Sequence, residues 1–104
     1  MTINEFTALL LTADPDATHY IAAEGQTNYT VWRKYTERRL AADGESAGII
    51  HLIQVDRFTK IEDDPMVDSI RAALEHPDIS FDYQEDFEPD TLYIHHVFDC
   101  EVAE

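Results

Sequence analysis

The sequence predicts an α+β domain: a mostly antiparallel sheet of four to five strands with two helices packed on one face. Three observations predict it. The chain has 104 residues, which is about one domain of two layers. Hydrophobic residues make up 44% and aromatic residues 11%, so a core can form although the formal net charge is -15. A chain this acidic and poor in apolar residues would instead read as disordered. Finally, two capped segments repeat at helical spacing, whereas the remaining apolar segments alternate or run continuously as strands do. Residues 1–104 form a single domain, with no internal repeat, low-complexity tract or linker.

Thr2-Ile3-Asn4-Glu5 is a capping box, with Glu5 near the positive end of a helix. Ile3, Phe6, Leu9 and Leu10 form its apolar stripe, and Asp14-Pro15-Asp16 ends it. Thr18 to Ala23 reads as a short strand, and Gly25 to Asn28 as a turn. Asn28 to Thr36 is aromatic and β-branched and suits a strand, with Tyr29, Val31, Arg33 and Tyr35 on one face and Thr30, Trp32, Lys34 and Thr36 on the other. Ala42-Asp43-Gly44-Glu45 carries the Asp-Gly hairpin signal. A long strand from Gly48 to Phe58 follows, apolar in its first half, with Ile53 and Val55 opposite Gln54 and Asp56 in its second.

Asp64-Pro65 is the clearest helix start, an Asp N-cap before Pro at the first position. Met66, Val67, Ile70, Ala73 and Leu74 form the buried stripe, and His76-Pro77 ends the helix. Ile79 to Phe87 alternates as a strand, and Glu88-Pro89-Asp90 is a turn. The last strand, Thr91 to Val102, has Leu92, Ile94, His96, Phe98, Cys100 and Val102 on one face. The expected order is α-β-β-β-α-β-β.

Composition excludes several functions. With 22 Asp and Glu against 7 Lys and Arg, and a pI near 4.4, binding to nucleic acid through phosphate neutralisation has too few cations. The single cysteine, Cys100, has no internal disulfide partner. Met1 to Asn4 has no basic character, and the apolar stretch from Ala8 to Leu11 is too short for a signal peptide or a membrane span. The expectation is a soluble intracellular protein, or a part of something assembled inside a cell.

Catalytic and cofactor motifs are absent. There is no Gly-rich phosphate loop and no nucleophile elbow. His95 and His96 point to opposite faces of a strand, and His51 could meet one of them across the sheet with Asp99 nearby, but no spacing matches a metal site. The reading is no enzyme, no cofactor and no metal, with His96 a satisfied core residue. Trp32, flanked by Tyr29 and Tyr35, is assigned to core or interface.

Three segments together carry a resemblance. A short N-terminal helix precedes the aromatic strand Tyr29-Thr30-Val31-Trp32. Ile53-Gln54-Val55-Asp56-Arg57-Phe58-Thr59-Lys60 then leads straight into a helix, and His95-His96-Val97-Phe98-Asp99-Cys100-Glu101-Val102 closes the chain. From about Phe6 to Val102 this resembles the small tail-completion proteins (tail terminators, or tail-to-head joining proteins) of long-tailed phages and prophages. Family members often have a proline before the aromatic strand, where this chain has Asn28. The resemblance implies a non-enzymatic structural subunit of a homo-oligomeric ring, commonly a hexamer. It would be assembled in the bacterial host cytoplasm and located in the virion tail or neck, with tail-tube and head-neck proteins as partners and DNA only passing through the lumen.

A ring needs two different, complementary patches on each subunit. Fifteen of the 22 acids lie at or after Asp56, whereas four of the seven cations lie between Arg33 and Arg39. Arg33, Lys34, Arg38 and Arg39 are therefore candidates to meet a neighbour's Glu62, Asp63 and Asp64, or its Glu85, Asp86 and Glu88. The reading from another class is a small acidic inhibitor that mimics DNA and occupies a nucleic-acid-binding enzyme.

Overall fold

The apolar stripes found in the sequence pack on one side of a single sheet, except that Leu92, expected on the buried face of the last strand, is exposed in a left-handed turn (φ 63°) before that strand begins. The computed structural model describes residues 1–42 and 45–104; the Asp43-Gly44 turn lies outside the described residues. In order, the elements are α1 (Ile3–Ala13), β1 (Thr18–His19), β2 (Tyr29–Ala42), β3 (Glu45–Thr59), α2 (Pro65–Leu74), β4 (Ile79–Glu88) and β5 (Tyr93–Ala103). The sheet order is β1-β2-β3-β5-β4, all antiparallel except for β1 beside β2. The α+β class and the element order agree with the sequence.

Both helices form for local reasons. The Thr2 hydroxyl accepts from the Glu5 amide, and the Glu5 carboxylate accepts from the Thr2 amide, so two amides left free at the helix start are satisfied. These bonds hold the Glu5 carboxyl below its ordinary range. Asp64 caps α2 by accepting from the Met66 amide at 3.0 Å, with Pro65 next in line.

Phe6 and Leu10 of α1, with Val67, Ile70 and Leu74 of α2, bury against Trp32, Ile53, Val55, Ile79, Phe98, Cys100 and Val102 of the sheet. Trp32 is a core residue: Phe6 meets its ring edge-on at 5.9 Å, and His19 stacks on it at 4.0 Å. Burial pushes the Cys100 thiol up to about 12, which leaves it an inert core side chain.

Three features depart from expectation. β1 has only two residues instead of the six of Thr18 to Ala23, because Tyr20 adopts a left-handed conformation (φ 68°) that ends the strand. β2 continues six residues beyond Thr36, to Ala42. Its outer part pairs only with β3, because β5 stops opposite Ile50 and only the Glu104 backbone reaches Ile49. Gly48 lies at that boundary, where an added Cβ would sit 3.1 Å from the Glu104 carbonyl oxygen. The result is a two-stranded arm extending from the body, and the molecule measures 51 × 25 × 22 Å.

Candidate subunit interface

The cations of β2 divide between the two faces of the sheet. A register shift between Lys34 and Thr36 places an extra residue, Tyr35, in the strand. Alternation restarts after it, so Arg33 and Arg38 share the open face, while Lys34 and Arg39 share the helix side. Lys34 pairs with Glu37, and Arg38 donates to Glu101 at 2.6 Å. The Arg33 guanidinium lies 5.4 Å from the Tyr35 ring centre, and the Tyr35 hydroxyl donates to Asp99 at 2.7 Å. That bond and partial burial raise the Tyr35 pKa above its ordinary value. Arg39, near the base of the arm, is exposed and has no ion-pair partner among the described residues.

The acids separate in a way the sequence did not show. Glu62 and Asp63 lie in the turn from β3 to α2, where Asp63 takes a left-handed conformation (φ 52°). Together with Asp68 of α2 and Glu85 of β4 they line one open cleft of about 460 Å³. Segments 22 residues apart in sequence, Asp63 and Glu85, thus contribute to one acidic surface. Asp86 and Glu88 are not part of it. They lie opposite His95 and Tyr93 in the β4–β5 register, and so face the open side of the sheet.

Asp64 is a correction: it is 6% exposed and serves the monomer. Its Oδ2 accepts from Arg57 Nε at 3.2 Å and Nη2 at 3.0 Å, while Arg57 Nη1 lies 3.6 Å from Asp14 Oδ2 and donates to Thr30 Oγ1 at 3.3 Å. Burial pushes the Asp64 carboxyl up, but the Met66 amide, Thr59 hydroxyl and Arg57 outweigh it and hold the pKa below its ordinary value. This clamp ties the end of α1, the start of α2 and the two central strands together. Its signal was present in the sequence, since Arg57 continues the face of Ile53 and Val55.

His96 lines the acidic cleft and is 6% exposed. Its Nδ1 is 2.6 Å from the Tyr83 hydroxyl and 3.4 Å from Glu85 Oε1, and the Tyr83 hydroxyl donates to Glu85 at 3.1 Å. That hydroxyl has one proton for two acceptors, Glu85 and His96 Nδ1, and the tautomer of His96 sets which of its ring nitrogens donates. Nε2 has no partner among the described residues, so the expected satisfied core histidine is only half satisfied. Burial lowers its pKa, opposed by the Glu85 and Asp64 charges. Arg71 stacks its guanidinium 4.4 Å from the Tyr83 ring centre on another wall of the cleft.

The remaining histidines are engaged separately. His51 does not meet His95, His96 or Asp99; register places it opposite Val102 and Glu37, and its Nε2 contacts Glu104 at 2.7 Å. His95 Nε2 lies 2.7 Å from Asp56 on the open face, where Gln54 also donates to Asp56 and Phe58 stacks on the imidazole. Among the described residues no three His, Cys, Asp or Glu side chains converge as a metal site. Among the described residues no helix is long and apolar enough to cross a membrane. The chain matches no protein-family model and no curated protein.

Proposed function

We propose that this chain is a non-enzymatic structural subunit of a phage or prophage tail, forming a ring that ends the tail tube and joins it to the head. One observation carries the reading from the geometry: the cationic strand and the acidic cleft are separate surfaces of one domain. A subunit with two unlike, complementary patches makes a heterologous contact, which closes into a ring when the rotation per subunit divides a full turn. The sequence resemblance supplies the station, at the head-proximal end of the tail.

Within such a ring the open face offers Asp82, Asp86, Glu88, Asp99 and Glu101 on adjacent strands. A lumen with these carboxylates repels phosphates, so that DNA passes without adhering to the wall. Register places Asp82 directly opposite Asp99, a like-charge pair that costs stability and that a role for this face would explain.

The test is genetic and visual. Deleting the gene from a phage or prophage that encodes it, then imaging the particles by negative-stain microscopy, should show tails of uncontrolled length and unjoined heads. Tails of normal length, joined to heads, would sink the reading. The acidic-mimic reading is favoured by the β4 row Asp82, Asp86 and Glu88 on one face, where Gln84 leaves the first two acids about 13.6 Å apart and the last two about 6.8 Å apart. It predicts that the purified protein displaces DNA from a nucleic-acid-binding enzyme.

A further inference from the structure

We infer that the outer edge of β2 in one copy pairs, antiparallel, with the outer edge of β4 in a second copy, so that one sheet runs on from subunit to subunit. The inference rests on the ring reading and deepens it by naming the contact, its direction and its register.

Open main chain supports it first. In the order β1-β2-β3-β5-β4, β4 has no strand on its outer side among the described residues, and β1 covers β2 only at Val31 and Trp32. Arg33 to Ala42 and Ile79 to Glu88 are therefore two open edges of equal length, and such an edge is a template for pairing with another chain. β4 runs antiparallel to β5, β5 to β3 and β3 to β2, so β4 and β2 run opposite ways. A copy related by rotation about an axis along the strands brings its β2 antiparallel to β4.

The phase of the hydrogen bonds fixes the register. Ile49 exchanges both main-chain bonds with Glu104 on the β5 side. Its β2 partner Arg39, and Glu37 two residues before, therefore turn their main chain outward. On β4, Asp78 accepts from Ala103, so alternate residues from Ile79, including Glu85 and Phe87, also turn outward. Outward residues must lie opposite one another to exchange bonds. Arg39 beside Glu85 and Glu37 beside Phe87 meet that condition and put Arg38 beside Asp86. Each cation then meets an acid on its own face of the sheet, Arg38 with Asp86 on the open face and Arg39 with Glu85 on the helix side. The Arg38 guanidinium has donors enough for Asp86 as well as for Glu101 of its own chain. The same register carries β1 beyond Glu88, the last residue of β4.

Charge supplies the direction. The β2 edge carries Arg33, Lys34, Arg38 and Arg39 against Glu37 alone, whereas β4 carries Asp82, Glu85, Asp86 and Glu88 and no cation. Two β2 edges, or two β4 edges, would set like charges opposite each other. Only unlike edges pair, which makes the contact head to tail. In physiological salt the Debye length is about 8 Å, so repulsion between two acidic bodies is largely screened while contact pairs are not.

The experiment is sedimentation of the full chain at high concentration in physiological salt, where the wild type should self-associate. Arg38→Glu with Arg39→Glu should weaken association by about a hundredfold. Glu85→Lys with Asp86→Lys should do the same from the other edge, and an equimolar mixture of the two variants should reassemble. Main-chain pairing has its own readout. Phe87→Pro removes one outward N–H and should weaken association by about tenfold, whereas Phe87→Ala keeps it and should do less. Air oxidation of a Glu37→Cys, Phe87→Cys variant should link copies, since hydrogen-bonded pairs lie about 5.5 Å apart between Cα atoms; Glu37→Cys with Gln84→Cys should not. Circular dichroism checks folding; should a reversal not fold, Arg39→Gln and Asp86→Asn replace it, with smaller effects. A monomeric wild type, reversed variants that associate normally, or a mixture that stays monomeric would overturn the inference. So would equal cross-linking at Gln84, or a Phe87→Pro effect no larger than that of Phe87→Ala. Rings that persist in the reversed variants remove this contact and leave the ring reading standing. Restored assembly from the mixture, with normal tails after gene deletion, does the reverse.

Discussion

Arg57 and Arg39 occupy neighbouring strands of one sheet, yet they belong to different regions with different work. Arg57 is 7% exposed and meets Asp14, Asp64 and Thr30 beneath both helices. Arg39 stands exposed near the base of a two-stranded arm. A cation removed from the clamp leaves buried carboxylates unpaired, whereas one removed from the arm leaves an exposed position. Burial therefore decides whether a charge in this acidic chain contributes to folding or is available for association.

The comparison is broken most directly at the clamp. Arg57→Met should destabilise the monomer by about 3–5 kcal/mol, because Asp14 and Asp64 then remain buried without their counter-charge. Urea unfolding measures it, and a loss under about 1 kcal/mol would contradict the clamp. Adding Asp14→Asn and Asp64→Asn to that variant should recover part of the loss, since the three side chains act as one unit. Asp64→Ala alone should cost about 2–4 kcal/mol, removing a helix cap and one partner of a buried cation.

A pH titration sharpens the comparison further. His96 has a folded pKa below its ordinary value of 6.5. The unfolded chain therefore binds the proton first, and the neutral-histidine contribution is present above about 6.5 and lost as pH falls below it. Stability should decline on acidification from pH 7 to 5 with a His96 share below about 1.4 kcal/mol per pH unit. His96→Gln should flatten that slope, and an unchanged slope would count against it. Asp64 works the same way at lower pH: its depressed pKa stabilises the fold above about 3.9 and ceases to as pH falls through the folded value.

The smallest effects belong to the arm and the exposed β2 pair. Arg38→Ala breaks a largely exposed ion pair with Glu101 and should cost about 0.2–1 kcal/mol of monomer stability. Arg39→Ala should leave the thermal midpoint nearly unchanged, within about 0.5 kcal/mol. A large loss of monomer stability there would erase the distinction between the two regions.

Much of the fold was legible because its signals are local. Thr2 with Glu5 and Asp64 with Pro65 bounded both helices, and alternation from Ile94 to Val102 gave the buried face of β5. The candidate interface was legible only in part. Glu62, Asp63 and Glu85 do share a surface, but Asp64 is inside the protein, and Asp86 and Glu88 face the other way. Charge is visible in a sequence, whereas its burial depends on what a distant segment places beside it. The arm escaped notice because Glu37 to Leu40 offers little local strand signal. It is a strand through its hydrogen bonds to β3.

By itself the sequence determined the class, the element order, both helix starts and the uneven distribution of charge, since caps and periodicities act over a few residues. Tertiary structure alone decided that β5 lies between β3 and β4, and that a bulge at Tyr35 redistributes the cations. It also decided that Arg57 is consumed in the core while Arg39 is exposed, with no ion-pair partner among the described residues. Those outcomes depend on register and burial, which arise only when segments remote in the chain are paired.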